Sequence, residues 1–243
     1  EISACLVGSE MCIRDSYNLF TTTNATYDPT LHVEDCTVDA AYNVVYDSHN
    51  TQNFKSVYFG NSIVKMTVAN KPFYSTKAKD AHTQQLIRLD NNVFYAETPL
   101  QNYLINCGDR SQAFQTTRLQ VEVTNNTIYN IYQPNIMIRA YVLAGLTVTK
   151  NVGYYTGVTA KNYLTGVYDT AGFTADKAEV TYNYLYTAPV SDTNFWSAKH
   201  TGSYTPANNQ MGDGVEAPFS SMDAAKGYFP VDASVVKTGA GAT

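Results

Sequence analysis

Residues Leu119–Ile131 read LQVEVTNNTIYNI: an alternating strand, a double-Asn corner and a second short strand. The same sentence recurs as LHVEDCTVDA from Leu31, SVYFGNSIVKM from Ser56, LIRLDNNVFYA from Leu86, LTVTKNVGYYT from Leu146 and AEVTYNYLYTA from Ala178. With the corner residues taken as Cys36, Asn61, Asn92, Asn126, Asn151 and Asn183, the copies lie 25 to 34 residues apart. Unequal spacing around a constant core means equal coils carrying unequal loops. Fixed-length helical repeats are excluded, and no copy sets apolar residues at helical spacing.

Each copy carries one further extended run: YNVVYDS (Tyr42–Ser48), PFYST (Pro72–Thr76), NYLINCG (Asn102–Gly108), NIMIRAYV (Asn135–Val142), NYLTGVYD (Asn162–Asp169) and NFWSAKH (Asn194–His200). Three short strands per repeat make one coil of a right-handed parallel β-helix, an all-β solenoid. Asn suits the corner because it tolerates the left-handed conformation and bonds its own backbone. Stacked coils lie about 4.8 Å apart, so Asn61, Asn92, Asn126, Asn151 and Asn183 are expected to link into a ladder of amides. Cys36 takes the same inward position at the ladder's end.

Residues 1–16, EISACLVGSEMCIRDS, resemble a translated sequencing adapter, LVGSEMCIRDS matching the reading frame of a common transposon-based library primer. They are read as non-native and set aside from the fold, as a tag would be. YNLFTTTNATYDPT, from Tyr17, reads as the tail of an earlier coil with a turn at Asp28–Pro29. About six coils then run to His200, with insertions at Lys77–Thr83 and Thr170–Lys177, and residues 201–243 form a loop-rich, truncated C-terminal cap. Within it, Met211–Thr243 is expected to cover the last coil by docking Phe219, Tyr228, Phe229 and Val235. Gly212-Asp213-Gly214 lacks the further acids of a calcium loop and reads as a turn.

The net charge of −5 offers no electrostatic case for nucleic acid. Cys36 and Cys107 fall at different places in different coils, so neither a disulfide framework nor a zinc site is expected; they read as core thiols. No segment has the apolar length of a membrane-spanning helix.

The corner-Asn repeats followed by APFSSMDAAKGYFPVDASVVKTGAGAT resemble the C-terminal half of an uncharacterised, pectin-lyase-like family of right-handed parallel β-helix proteins from polysaccharide-utilising gut bacteria. The resemblance covers Tyr17–Thr243, and its most specific part is the Phe-Ser-Ser-Met-Asp to Gly-Ala-Gly-Ala ending. It implies a secreted or outer-surface protein encoded among pectin-utilisation functions, with no activity to carry over.

In enzymes of this fold, outward side chains from successive coils line the substrate groove. Placing Ile136, Ile138 and Ala140 inward sends Met137, Arg139 and Tyr141 outward. The same phase in the other runs sends Asp47, Tyr74, Asn106 and Trp196 outward. Amides and aromatics in a row suit sugar rings, whose faces stack and whose hydroxyls need donors and acceptors. Each has a plainer reading: Arg139 as a surface partner of Asp109 or Glu122, Tyr74 and Tyr141 as strand formers, Trp196 as packing under the cap.

A glycoside hydrolase of this fold needs paired acids near a His, and the four His residues are scattered. A calcium-dependent lyase needs gathered carboxylates beside a proton-abstracting Arg or Lys. Asp47, Asp109 and Arg139 are a candidate remnant of such a set, which makes Arg139 the one catalytic candidate. The expectation is an extracellular protein that binds a pectin-like plant polysaccharide as an accessory, with no cofactor and no resident metal. A lyase acting on acidic glycans, with calcium, is the alternative, and an adhesin-like structural rod the second.

Overall fold

The structure, a computed structural model, describes residues 2–4, 18–22, 30–40, 43–47, 54–76, 85–107, 119–133, 136–140, 143–155, 163–167, 177–187, 194–196, 204, 206–211 and 241–242. Three seven-stranded sheets run the length of the molecule. The pre-corner sheet stacks β1 (Ile2–Ala4), β3 (Thr30–Glu34), β6 (Ser56–Gly60), β9 (Gln85–Asp90), β12 (Leu119–Thr124), β15 (Leu143–Thr149) and β18 (Ala178–Thr181). The post-corner sheet stacks β4 (Thr37–Ala40), β7 (Ile63–Met66), β10 (Val93–Gln101), β13 (Thr127–Tyr132), β16 (Val152–Tyr155), β19 (Tyr184–Thr187) and β21 (Gln210–Met211). The third sheet stacks β2 (Asn18–Thr22), β5 (Asn43–Asp47), β8 (Tyr74–Thr76), β11 (Ile105–Cys107), β14 (Ile136–Ala140), β17 (Tyr163–Val167) and β20 (Asn194–Trp196). Every pairing within them is parallel. The chain is therefore the parallel β-helix expected from its repeats.

Inward rows fill the interior with Val57, Phe59, Ile87, Leu89, Val121, Val123, Val148 and Val180 from the pre-corner sheet, each 0 % exposed. Phe59, Phe73 and Phe94 meet edge to face, at 4.9 and 5.0 Å between ring centres, tying all three walls together. The third sheet breaks alternation. Val44–Val45, Phe73–Tyr74, Leu104–Ile105, Met137–Ile138 and Leu164–Thr165 are each buried as consecutive pairs, because the chain bends there to close the coil.

The corner takes two residues. Asp35, Asn61, Asn91, Asn125, Lys150, Tyr182 and Asn208 adopt left-handed φ, between 49° and 57°. The residue after each turns inward, and this second position carries the ladder. Asn92, Asn126, Asn151 and Asn183 are fully buried, and each donates its backbone N–H to the side-chain oxygen one coil on, at 2.9–3.0 Å. Asn61 is a correction: it occupies the exposed left-handed position, where it accepts from Asn91 at 2.9 Å, and Ser62 takes the ladder place. The Ser62 hydroxyl donates to Gly60 O at 2.6 Å and the Cys36 thiol to Glu34 O at 3.1 Å. This is the bond that Asn126, Asn151 and Asn209 make to the carbonyl two residues back.

The coil pattern continues past His200. Asn209 accepts from Asn183, and Gln210–Met211 pairs with β19, a seventh corner in a stretch expected to be cap. Of that cap, Phe219, Tyr228, Phe229, Val235 and Gly212–Gly214 lie outside the described residues. Its end lies against the side of the rod. Gly241 N–H bonds Lys150 O at 2.8 Å and Ala242 N–H bonds the Thr127 hydroxyl at 3.0 Å, over the outer row of the post-corner sheet where Thr127 and Val152 are fully buried. At the other end Ile2–Ala4 pairs with Leu31–Val33. An open strand edge accepts a short extended segment of any sequence.

Candidate functional site

The corner between pre- and post-corner sheets is two residues in every coil and leaves no room for insertions. The unequal connections all flank the third sheet, among them residues 77–84, 108–118 and 168–176 on one side and 156–162 and 188–193 on the other. The expected insertions at Lys77–Thr83 and Thr170–Lys177 lie almost wholly outside the described residues. Variable connections beside a rigid face mark where a solenoid carries its binding chemistry.

On that face the register joins Thr21, Tyr46, Ser75, Asn106, Arg139 and Gly166 into one row across six strands. Asn106 and Arg139 thus meet on adjacent coils. Arg139 Nε donates to Asn106 Oδ1 at 2.8 Å, and a terminal guanidinium nitrogen donates to the same oxygen. The guanidinium carbon lies 4.9 Å from the Tyr103 ring centre, a cation–π contact. Tyr103 is itself fixed from below. Buried Asn102 accepts the Tyr103 N–H at 2.9 Å and donates to Val68 O at 3.1 Å, pinning the bend that leads into β11.

The other expected members fall elsewhere. Tyr74 is a correction: it pairs with Ile105 and Val45 in the inward row and is 0 % exposed. The consecutive buried pair Phe73–Tyr74 shifts the alternation by one residue, which inverts every assignment made from parity in that run. In the register, Asp47 pairs with Thr76, which pairs with Cys107, and Trp196 pairs with Thr165. Met137, placed outward by parity, is buried as well. Tyr141 and Asp109 lie outside the described residues. Asp47 is three strands from Arg139, about 14 Å at the coil repeat, too far to share an ion with it. Of the two surface partners expected for Arg139, Asp109 lies outside the described residues and Glu122 pairs with Arg88 at 3.6 Å.

Tyr103 and Asn102 were not singled out by sequence, although the triplet Asn-Tyr-Leu recurs at Asn162–Leu164 and its Leu is buried in both coils. A second outward array lies on the pre-corner sheet, in the row His32, Tyr58, Arg88, Glu122, Thr147, Glu179. The His32 ring lies 4.5 Å from Tyr58, and His32 Nε2 reaches Glu34 at 3.3 Å. The Tyr58 phenol lies down over Gly60, where an added Cβ would stand 2.3 Å from its oxygen. Burial first, then the carboxylates Asp90 and Glu34 on either side, raise the Tyr58 pKa above its ordinary value.

Chemically, the third-sheet cluster presents a planar cation stacked on a phenol and held by an amide. A guanidinium held this way presents oriented N–H donors suited to carboxylate or hydroxyl oxygens. Among the described residues no three His, Cys, Asp or Glu side chains gather at metal-binding distance, and no helix is long and apolar enough to cross a membrane. Comparison with models of protein families, with curated proteins and with solved structures finds no match for this chain, so its site is read from its own chemistry.

Proposed function

We propose that the third-sheet face binds a pectin-like plant polysaccharide outside the cell, as a non-catalytic accessory, with Tyr103, Asn106 and Arg139 at its centre. One observation carries this reading: Arg139 is stacked on Tyr103 and bonded to Asn106 on the adjacent coil. A guanidinium fixed in plane offers paired donors to a sugar carboxylate or a vicinal diol, and the phenol beside it offers apolar surface to the ring. Coils repeating at about 4.8 Å make the face an extended platform, suited to a polymer rather than a small molecule. The test is affinity electrophoresis of the chain through gels containing acidic or neutral plant glycans, with product release followed in parallel. Retardation by an acidic glycan without new chain ends supports binding. New unsaturated ends would replace it with a lyase, and a folded sample that shows neither would leave a structural rod.

A further inference from the structure

The outer face of the pre-corner sheet carries charges in an order that is its own complement. From β3 to β18 its central row reads His32, Tyr58, Arg88, Glu122, Thr147, Glu179. His32, Arg88 and Glu179 are exposed, and the two carboxylate contacts of Arg88, 3.6 Å to Glu122 and 3.7 Å to Asp90, are longer than a charge-assisted hydrogen bond. We infer that this face associates with the same face of a second copy, rod against antiparallel rod, about a twofold axis lying along the strands between β9 and β12.

That operation keeps each row facing itself and reverses coil order. Arg88 then meets Glu122 of the second copy, twice by symmetry; His32 meets Glu179, and Tyr58 meets Thr147. The flanking row Glu34, Gly60, Asp90, Thr124, Thr149, Thr181 sets Asp90 against Thr124 and Glu34 against Thr181, carboxylates facing hydroxyls. The row of left-handed corner residues sets Asp35 against Tyr182, Asn61 against Lys150 and Asn91 against Asn125. No like charges coincide. A parallel arrangement opposes Arg88 to Arg88 and Glu122 to Glu122, and shifting the antiparallel register by one coil brings Arg88 against Arg88 in one direction and Glu122 against Glu122 in the other. A partner of uniform charge would be repelled by half the face. A second copy in this register engages all six coils with no like charges opposed, whereas shifts by two coils leave two strands of each face unpaired.

Six strands at about 4.8 Å and five residues at about 3.3 Å give a face of roughly 500 Å² per partner, roughly 1,000 Å² in all, the size of a weak, reversible interface. The third sheet faces another direction and stays open in such a pair. The test is sedimentation of the full chain from micromolar to near-millimolar concentration, in low salt and in about 0.5 M salt, where charges beyond a few ångströms are screened. A monomer–dimer equilibrium weakened by salt is expected. Arg88→Glu and Glu122→Arg should each weaken it at least about tenfold, and an equimolar mixture of the two variants should dimerise again, because each then presents the charge the other needs. A monomer at every concentration overturns the inference. So does a dimer indifferent to either substitution, or a mixture that fails to associate while both variants keep the wild-type β-sheet circular dichroism.

Discussion

Asn151 lies one coil beyond Asn126, and its side-chain oxygen accepts both the Asn126 backbone N–H and the Asn126 amide, each at 3.0 Å. The Asn126 amide also reaches Leu89 O and Thr124 O, while its own oxygen accepts from Asn92 N–H and amide. Every polar atom of a fully buried side chain is thus satisfied, and the link repeats from Ser62 to Asn209. The ladder converts the most polar position in each coil into its most specific one.

Replacing Asn126 with Ala removes the acceptor of the Asn92 N–H and amide and the amide donor to the Leu89 and Thr124 carbonyls. A loss of about 2–4 kcal/mol is expected in urea denaturation. Asn126→Asp should be worse, because a carboxylate keeps the acceptor but turns a second oxygen toward those carbonyls in a buried site. Asp tolerated better than Ala would contradict this account of the ladder.

Tyr182 holds a left-handed φ of 57° with its side chain exposed. The equivalent places in four other coils, Asn61, Asn91, Asn125 and Asn208, use the residue type that adopts this conformation at least cost. Tyr182→Asn should therefore stabilise by about 0.5–1 kcal/mol, a rise in Tm of roughly 1–4 °C for a chain of this size. Differential scanning calorimetry decides it; an unchanged or lower Tm counts against strain at that corner.

Tyr58 and Tyr95 both have pKa values raised from 10.0, in each case chiefly by burial, with Asp90 and Glu34 adding to Tyr58. The folded state favours the neutral phenol, so the unfolded chain loses these protons first as pH rises. Their contribution is whole below pH 10 and is lost as pH climbs through the folded-state values. Urea midpoints at pH 9 and pH 11 should fall less in Tyr58→Phe and Tyr95→Phe than in the wild type. Equal falls in all three proteins would assign the alkaline loss to other groups.

Much of the architecture was legible because coil, corner and third run are local patterns. The double Asn of Asn91–Asn92 and Asn125–Asn126 contained both corner roles, one left-handed and one buried, but a single letter was enough to name the corner and not to tell the two apart. Asn61 was misassigned because Ser62 imitates an Asn with one hydroxyl. The seventh corner at Asn208–Asn209 was hidden by a pre-corner strand reduced to the single bridge Thr181–Ala207. Tyr74 failed for a different reason. Parity assumes strict alternation, and the coil closes by burying two neighbours in succession, which only the register between strands reveals. Asn106 and Arg139 come together because each follows the buried pair of its own run and the register sets them in one row.

The most direct measurement is calorimetric titration of an acidic oligosaccharide into the wild type, Arg139→Lys and Tyr103→Ala. Arg139→Lys keeps the charge but loses the planar fork and the bond from Nε to Asn106. Weakening of about tenfold in the Lys variant, and of similar size in Tyr103→Ala, is the expected result. Wild-type affinity in both variants would contradict a glycan site on the third sheet.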